Sequence, residues 1–423
     1  MAIGLLGMVA FNMADTFFVS KLGTIELAAL SFTFPVVFIV ASIALGLGMG
    51  TSSVVSRAVG EGNNHKVEKL TTDGMLLAVL SVAVFAVAGI FTIEQVFGAL
   101  GAGAEILPYI RQYMFIWYAG VVFVVVPMVG NNAIRAIGDT KTPSIIMLVA
   151  VVTNLVLDPV LIFGYGPFPR MELAGAALAT VISRAITLVF ALWILGYREK
   201  MLIFAMPGLK RLYRSWKEVL YVGIPTAGTR MIIPVALGII TKMVSSYGPE
   251  AVAAFGVASR IEFFALVIIF ALASVLAPFT GQNWGSGNIN RVHLGLRYGE
   301  FFSVLWGLAV MGFLFLFAGK IAAVFNDDPA VKKLVILYLK IVPAGFGLQG
   351  ILIIANSVLN VLHKPLRASA LVILEMFVLY IPMAVIGEHF YGLKGVFASL
   401  AAAYIISGII ALNVVNRTLK NSA

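Results

Sequence analysis

The stretch Asn154-Leu-Val-Leu-Asp158-Pro159 sets an amide and a carboxylate four residues apart, followed by a proline, inside the apolar run SIIMLVAVVTNLVLDPVLIFG. A spacing of four puts both polar side chains on one face of a helix. The proline has no N–H to donate, so the carbonyl one turn earlier, near Asn154–Leu155, is freed and a bend is allowed there. Asp15 lies in a second apolar run and Thr180 in a third. Two carboxylates, an amide and a hydroxyl can exchange a proton, or offer oxygens to a hard cation such as Na⁺. That chemistry requires elements that bring the four groups to one depth.

Composition identifies the solvent around those runs. Of 423 residues, 61% are hydrophobic and 11% charged, too few charges to cover a soluble protein of this size. Apolar runs long enough to cross a bilayer recur along the whole chain. The fold class is therefore all-α, a polytopic membrane protein. With no cysteine there is neither a disulfide framework nor thiolate chemistry. A net charge of +10 would suggest nucleic acid in a soluble chain. Here the basic residues lie mostly in particular loops, where they set topology, and no nucleic-acid partner is expected. The first run carries no basic leading segment and reads as a helix, not a signal peptide. It starts so abruptly that the natural start is expected upstream of Met1.

Twelve spans are expected: 1–20, 27–56, 71–99, 107–137, 143–165, 173–196, 217–246, 251–279, 295–325, 333–362, 366–389 and 393–415. The loops after even-numbered spans, with the tail, hold 17 of the 29 basic residues, against about eight on the other side. That bias places both termini in the cytoplasm. An internal repeat organises the spans. At an offset of 225 positions Gly23 meets Gly248, Gly60 and Gly62 meet Gly285 and Gly287, Asn63 meets Asn288 and Asn131 meets Asn356. Further on the offset shrinks, so that Pro159 meets Pro382, and Leu173 and Gly175 meet Leu393 and Gly395. Six spans is an even number, so the two copies share one orientation. The expected organisation is an N-lobe over 1–196, a cytoplasmic linker over 197–217 and a C-lobe over 218–423, with a central cleft between the lobes.

An ionisable group within a span costs roughly 3 kcal/mol or more at the bilayer centre, so each needs a reason. At the repeat offsets Asp15 faces Ile240, Asn154 faces Phe377 and Asp158 faces Ile381, so these polar positions belong to the first copy alone. At 1.5 Å per residue, Asp15, Asp158 and Thr180 all lie about 10–12 Å below the outer end of their spans. Asp15, Asn154, Asp158 and Thr180 thus collect at one level as a proton or Na⁺ site, with Pro159 as the bending point. Two close carboxylates in a low dielectric cannot both ionise cheaply, which suits uptake and release of a proton. The plainer reading is a satisfied structural pair of Asn154 and Asp158. The second copy carries Arg230, Arg260, Glu262 and Glu375, read either as structural ion pairs of each glutamate with an arginine or as residues facing a substrate.

Other signals are weaker. Gly46-Leu-Gly48-Met-Gly50 lies inside a helix with no strand before it, and close helix packing explains it better than a phosphate loop. The 16 Met and 30 Phe mostly serve core and lipid contact, some lining the cleft for apolar ligands. The four histidines show no metal-ligand spacing, and no nucleophile–base pair or ATP motif is present, so neither an enzyme nor a cofactor is expected.

ADTFFVSKLGTIELAALSF in span 1, RAIGDTKTP after span 4, and NLVLDPVLIFG followed by LAGAALATVIS resemble the multidrug and toxic compound extrusion (MATE) family over essentially the whole chain. The resemblance implies two lobes forming a V. It also implies export of drugs or toxic cations, bulky and amphiphilic, by alternating access in exchange for H⁺ or Na⁺. Asp15, Asn154 and Asp158, with Thr180, match the N-lobe cation site of the DinF-like branch. The NorM-like branch has acidic residues in spans 7 and 10, where this sequence has Pro234 and Gln349. That departure favours the DinF-like branch, where proton coupling is usual. The implied setting is the inner (plasma) membrane of a bacterium or archaeon, with a monomer in contact with membrane lipids. A rival is a lipid-linked precursor flippase of the same superfamily, which would want a strongly cationic cavity.

Overall fold

The computed structural model describes residues 1–203, 208–325 and 328–420, with backbone alone at 3, 5, 8–10, 12 and 13. Part of the expected linker, 204–207, lies outside the described residues. The described residues are overwhelmingly helical and contain no strand. Twelve long helices correspond in order to the twelve expected spans, and the chain is an integral membrane protein. In the first half they are α1 (Ala2–Ser20), α2 (Thr24–Gly60), α3 (Asn64–Phe91), α4 (Leu107–Ala136), α5 (Lys141–Phe163) and α6 (Glu172–Trp193). In the second they are α7 (Leu209–Ser245), α8 (Pro249–Gly285), α9 (Ile289–Phe325), α10 (Pro329–Val361), α11 (365–391) and α12 (393–420). Helix runs almost unbroken from Pro365 to Lys420, and Gly392, at φ 58° and ψ −144°, is the one non-helical residue that separates α11 from α12.

Backbone geometry repeats with the sequence. α2 and α8 are each 37 residues long and end 225 positions apart. Each is followed by a glycine at positive φ, Gly62 at 69° and Gly287 at 76°, a conformation that L side chains rarely adopt. The Asn63 side chain then caps α3 by accepting from the Lys66 N–H at 2.9 Å.

The chain divides into two compact units, Met1–Ala227 and Gly228–Ala423, so the division falls within α7. In the first unit α4 packs against α2, α3 and α6, and α5 packs against α1 and α6. In the second, α10 takes the central place against α8, α9 and α12. Each unit has its own apolar core, around Trp117, Tyr113 and Met114 in the first and Tyr338, Phe346 and Phe397 in the second.

Helix α7 begins at Leu209, so the second half of the expected linker is helical. Leu212, Ser215 and Val219 recur at helical spacing and are buried. Asp73 of α3, fully buried, accepts from Arg211 at 2.8 Å and from Ser215 Oγ at 2.7 Å, and its carbonyl accepts from Trp216 Nε1. The start of α7 is thereby fastened to α3. A second clasp joins Arg198, in a π-helical turn that ends α6, to Asp139 at 2.5 Å.

Candidate cation site

Helix α1 meets α5 through one face. Positions 4, 7, 11 and 15 are spaced for a single stripe, and a Cβ on Gly4 or Gly7 would touch Met147, Ser144, Leu148 or Val151 of α5. That close approach carries Asp15 alongside the polar turn of α5. Nearer the C-terminal end of α5, a Cβ at Gly175 would lie 2.5 Å from the Leu161 carbonyl oxygen and 2.9 Å from the Ile162 nitrogen. α5 and α6 therefore touch backbone to backbone just outside the site, and α6 presents Thr180 one to two turns further in.

Within α5, Asn154 Nδ2 donates to Asp158 Oδ1 at 2.9 Å, both residues fully buried. Four oxygens in this neighbourhood are buried with no hydrogen-bond partner: Asp15 Oδ1, Asn154 Oδ1, Asp158 Oδ2 and Thr180 Oγ1. Asp15 and Asp158 lie within electrostatic reach of each other. No Lys or Arg forms an ion pair with either carboxylate among the described residues. Buried polar groups without partners are rare and costly, about 1–3 kcal/mol each. Three of the four are acceptor-only oxygens and the fourth is a hydroxyl, a set that a proton on a carboxyl would help satisfy and that has the chemistry to offer ligands to a cation. The helix continues through Pro159, which leaves the Leu155 carbonyl without an intrahelical donor.

Sequence reasoning missed two neighbours. Tyr113 of α4 is buried and lies within electrostatic reach of both Asp15 and Asp158. An available signal was the repeat itself, since Tyr113 and Tyr338 stand 225 positions apart. The second neighbour is Arg184, one turn along α6 from Thr180, whose guanidinium lies 4.7 Å from the Phe11 ring centre with Nε buried and unbonded. A buried arginine held by an aromatic face gives no pattern that spacing alone reveals.

In the second unit one expectation needs correction. Glu262 and Glu375 do not pair with Arg230 or Arg260, which form no ion pair among the described residues. Glu262 instead accepts from Tyr338 Oη and, at 2.5 Å, from Tyr404 Oη. Glu375, 2% exposed, is hydrogen-bonded to Gln349. The arginines sit on exposed positions of α7 and α8, whereas Glu375 is buried and Glu262 is half-buried, where tyrosines from α10 and α12 reach Glu262. Pro234 lies on α7 and Gln349 is buried on α10, so neither supplies a carboxylate.

Comparison with known proteins adds a family to this geometry. A family model, MatE, matches residues 1–160 and 225–386. An FAD transporter of Shewanella oneidensis is 37% identical over 407 residues, covering 96% of this chain and 90% of its own. The multidrug export protein MepA of Staphylococcus haemolyticus is 27% identical over 420 residues, covering 98% and 91%. Among solved structures, the Vibrio cholerae MATE transporter VcmN in its bent form superposes with a TM-score of 0.95 at 29% identity, covering 100% of this chain and 95% of that one.

Proposed function

The chain belongs to the MatE family of membrane transporters, and from that premise we propose that it is a secondary active exporter. It moves bulky, often cationic amphiphilic compounds outward by alternating access in exchange for H⁺, with Asp15 and Asp158 as the exchanging groups. The observation that carries this reading is the set of four partnerless buried oxygens around two carboxylates with no basic partner. Cation uptake from outside satisfies those oxygens and repacks α1 against α5. Pro159 supplies a turn that yields because one of its hydrogen bonds is absent. Na⁺ held by Asp15, Asn154, Asp158 and Thr180 is the alternative cargo at the same site.

The driving force suffices. One proton carries about 1.4 kcal/mol per pH unit and about 2.3 kcal/mol per 100 mV. A hundredfold substrate gradient requires about 2.7 kcal/mol. We place the protein in the inner membrane with both termini cytoplasmic, on the basis of its loop charges.

A second reading concerns the substrate. The relative that transports FAD, together with the unpaired in-span arginines Arg230 and Arg260, favours an anionic aromatic cargo such as a flavin dinucleotide. Proteoliposomes loaded with ethidium or with FAD, and given either a pH gradient without Na⁺ or a Na⁺ gradient without ΔpH, test ion and cargo together. Ethidium movement under ΔpH alone supports the first reading, and FAD movement with no ethidium movement supports the second. Dependence on Na⁺ makes the four oxygens metal ligands. If neither compound moves under either gradient while fluorescent lipid crosses between leaflets, the flippase rival holds.

A further inference from the structure

The second unit buries a carboxylate pair of its own, and the tyrosine beside it stands at the same repeat position as the tyrosine beside the first. Tyr113 lies within electrostatic reach of Asp15 and Asp158, and Tyr338, 225 positions later, bonds Glu262. Tyr404 holds the other oxygen of Glu262. Glu375 lies within electrostatic reach of Glu262, in a π-helical turn, Leu374–Tyr380, that replaces regular α-helix. At the repeat offset of 223, that turn corresponds to the part of α5 that carries Asn154. Isolated π-turns are rare and are frequently found at functional positions.

Hydrogen-bond accounting within this cluster leaves Glu375 Oε1, Gln349 Oε1 and the Tyr380 hydroxyl buried with no partner. Two of the three are acceptor oxygens. A proton on Glu375 would turn one of those acceptors into a donor and give the others something to accept. The titratable groups facing the pair are Tyr338 from α10, Tyr380 from α11 and Tyr404 from α12. Arg260, on the same helix as Glu262, is exposed and forms no ion pair, and the same holds for Arg230 of α7. Two carboxylates within electrostatic reach of each other in a low-dielectric interior, neither of them ion-paired among the described residues, cannot both hold a charge cheaply.

We propose that Glu262 and Glu375 form a second exchangeable-proton site, independent of the Asp15–Asp158 site. Hydronium delivers the proton, an O–H bond forms at a carboxylate oxygen, and release returns the proton to water with no change of oxidation state. The residues differ from the acidic pair expected in spans 7 and 10 from the family resemblance, since Pro234 and Gln349 occupy those places.

The test is pH-difference infrared spectroscopy of the purified protein in lipid bilayers, from about pH 6 to about pH 9, where exposed carboxyls are already ionised. The double variant D15N/D158N should retain a titrating band of protonated carboxyl, and adding E375Q should abolish it. The proposal is overturned if the double variant has no titrating carboxyl band, or if the band persists unchanged in both the E375Q and the E262Q triple variants. E375Q alone checks the fold, because the Asp15–Asp158 band must remain in it. If that band also vanishes, the E262Q variant, read in the same way, decides.

Discussion

Asn154 donates its amide to Asp158 across one turn of α5, at 2.9 Å, and both residues are fully buried. The bond uses one oxygen of the carboxylate and leaves the other, Oδ2, with no partner. A structural pair would be expected to satisfy itself, and this one does not. Asp15 Oδ1, within electrostatic reach of Asp158, and Thr180 Oγ1 are left without partners as well, which is why the pair reads as part of a cation site.

Ion choice separates at Thr180. Its hydroxyl is a candidate Na⁺ ligand, but a proton needs only the carboxyls. Thr180→Val removes a buried hydroxyl that has no hydrogen-bond partner, so no hydrogen bond is lost with it. Transport driven by ΔpH should therefore survive within about tenfold of wild type. Initial rates of dye efflux in proteoliposomes give the answer, and abolition of transport would favour a metal ligand at this position.

Gly175→Ala should destabilise the first unit. The added methyl would meet the Leu161 carbonyl, which is backbone and cannot rotate away. Overpacking of this kind costs about 1–3 kcal/mol. Thermal unfolding in detergent should shift downward, and efflux should fall as Thr180 moves away from α5. An unchanged melting curve would mean that α5 and α6 separate freely.

The clasp on α3 supports a third prediction. Asp73→Asn leaves Arg211 without its carboxylate and weakens the bond from Ser215. Removing one partner of a buried pair costs about 3 kcal/mol, toward the lower end of the usual range because Arg211 is partly solvated. Limited proteolysis should then cut near the start of α7 at a faster rate than in wild type.

Asp139, in the loop before α5, sets an acid limit on stability. Burial alone would raise its carboxyl, but hydrogen bonds from Thr142 and Arg198 and the Arg198 charge outweigh burial and hold it below the usual carboxylate value. A depressed folded value means that the stabilisation is complete above the unfolded value of about 3.9 and is lost as pH falls through the lower folded value. Asp139→Asn should lower the melting temperature at neutral pH and leave it less sensitive to acid. Parallel wild-type and variant curves across acid pH would contradict this.

Much of the fold was legible in the sequence because a bilayer demands long apolar helices and a duplicated gene keeps its glycines. Asn154 and Asp158 could be read from helical spacing, and Asp15 and Thr180 from depth along their spans. Tyr113 was not read, since a tyrosine in an apolar run has no period of its own and its relation to Asp15 arises only in the folded bundle. The partners of Glu262 come from 76 and 142 residues away, and charge complementarity pointed to nearby arginines instead. In a buried site, hydroxyls can satisfy a carboxylate without bringing a second charge out of water.

The most direct measurement is dye efflux from proteoliposomes under an imposed ΔpH without Na⁺, comparing wild type with Asp15→Asn and Asp158→Asn. The cation-site account predicts efflux in wild type and its loss in both variants, with dye binding retained. Wild-type efflux in both variants would contradict it and reduce the cluster to a structural feature of α1, α5 and α6.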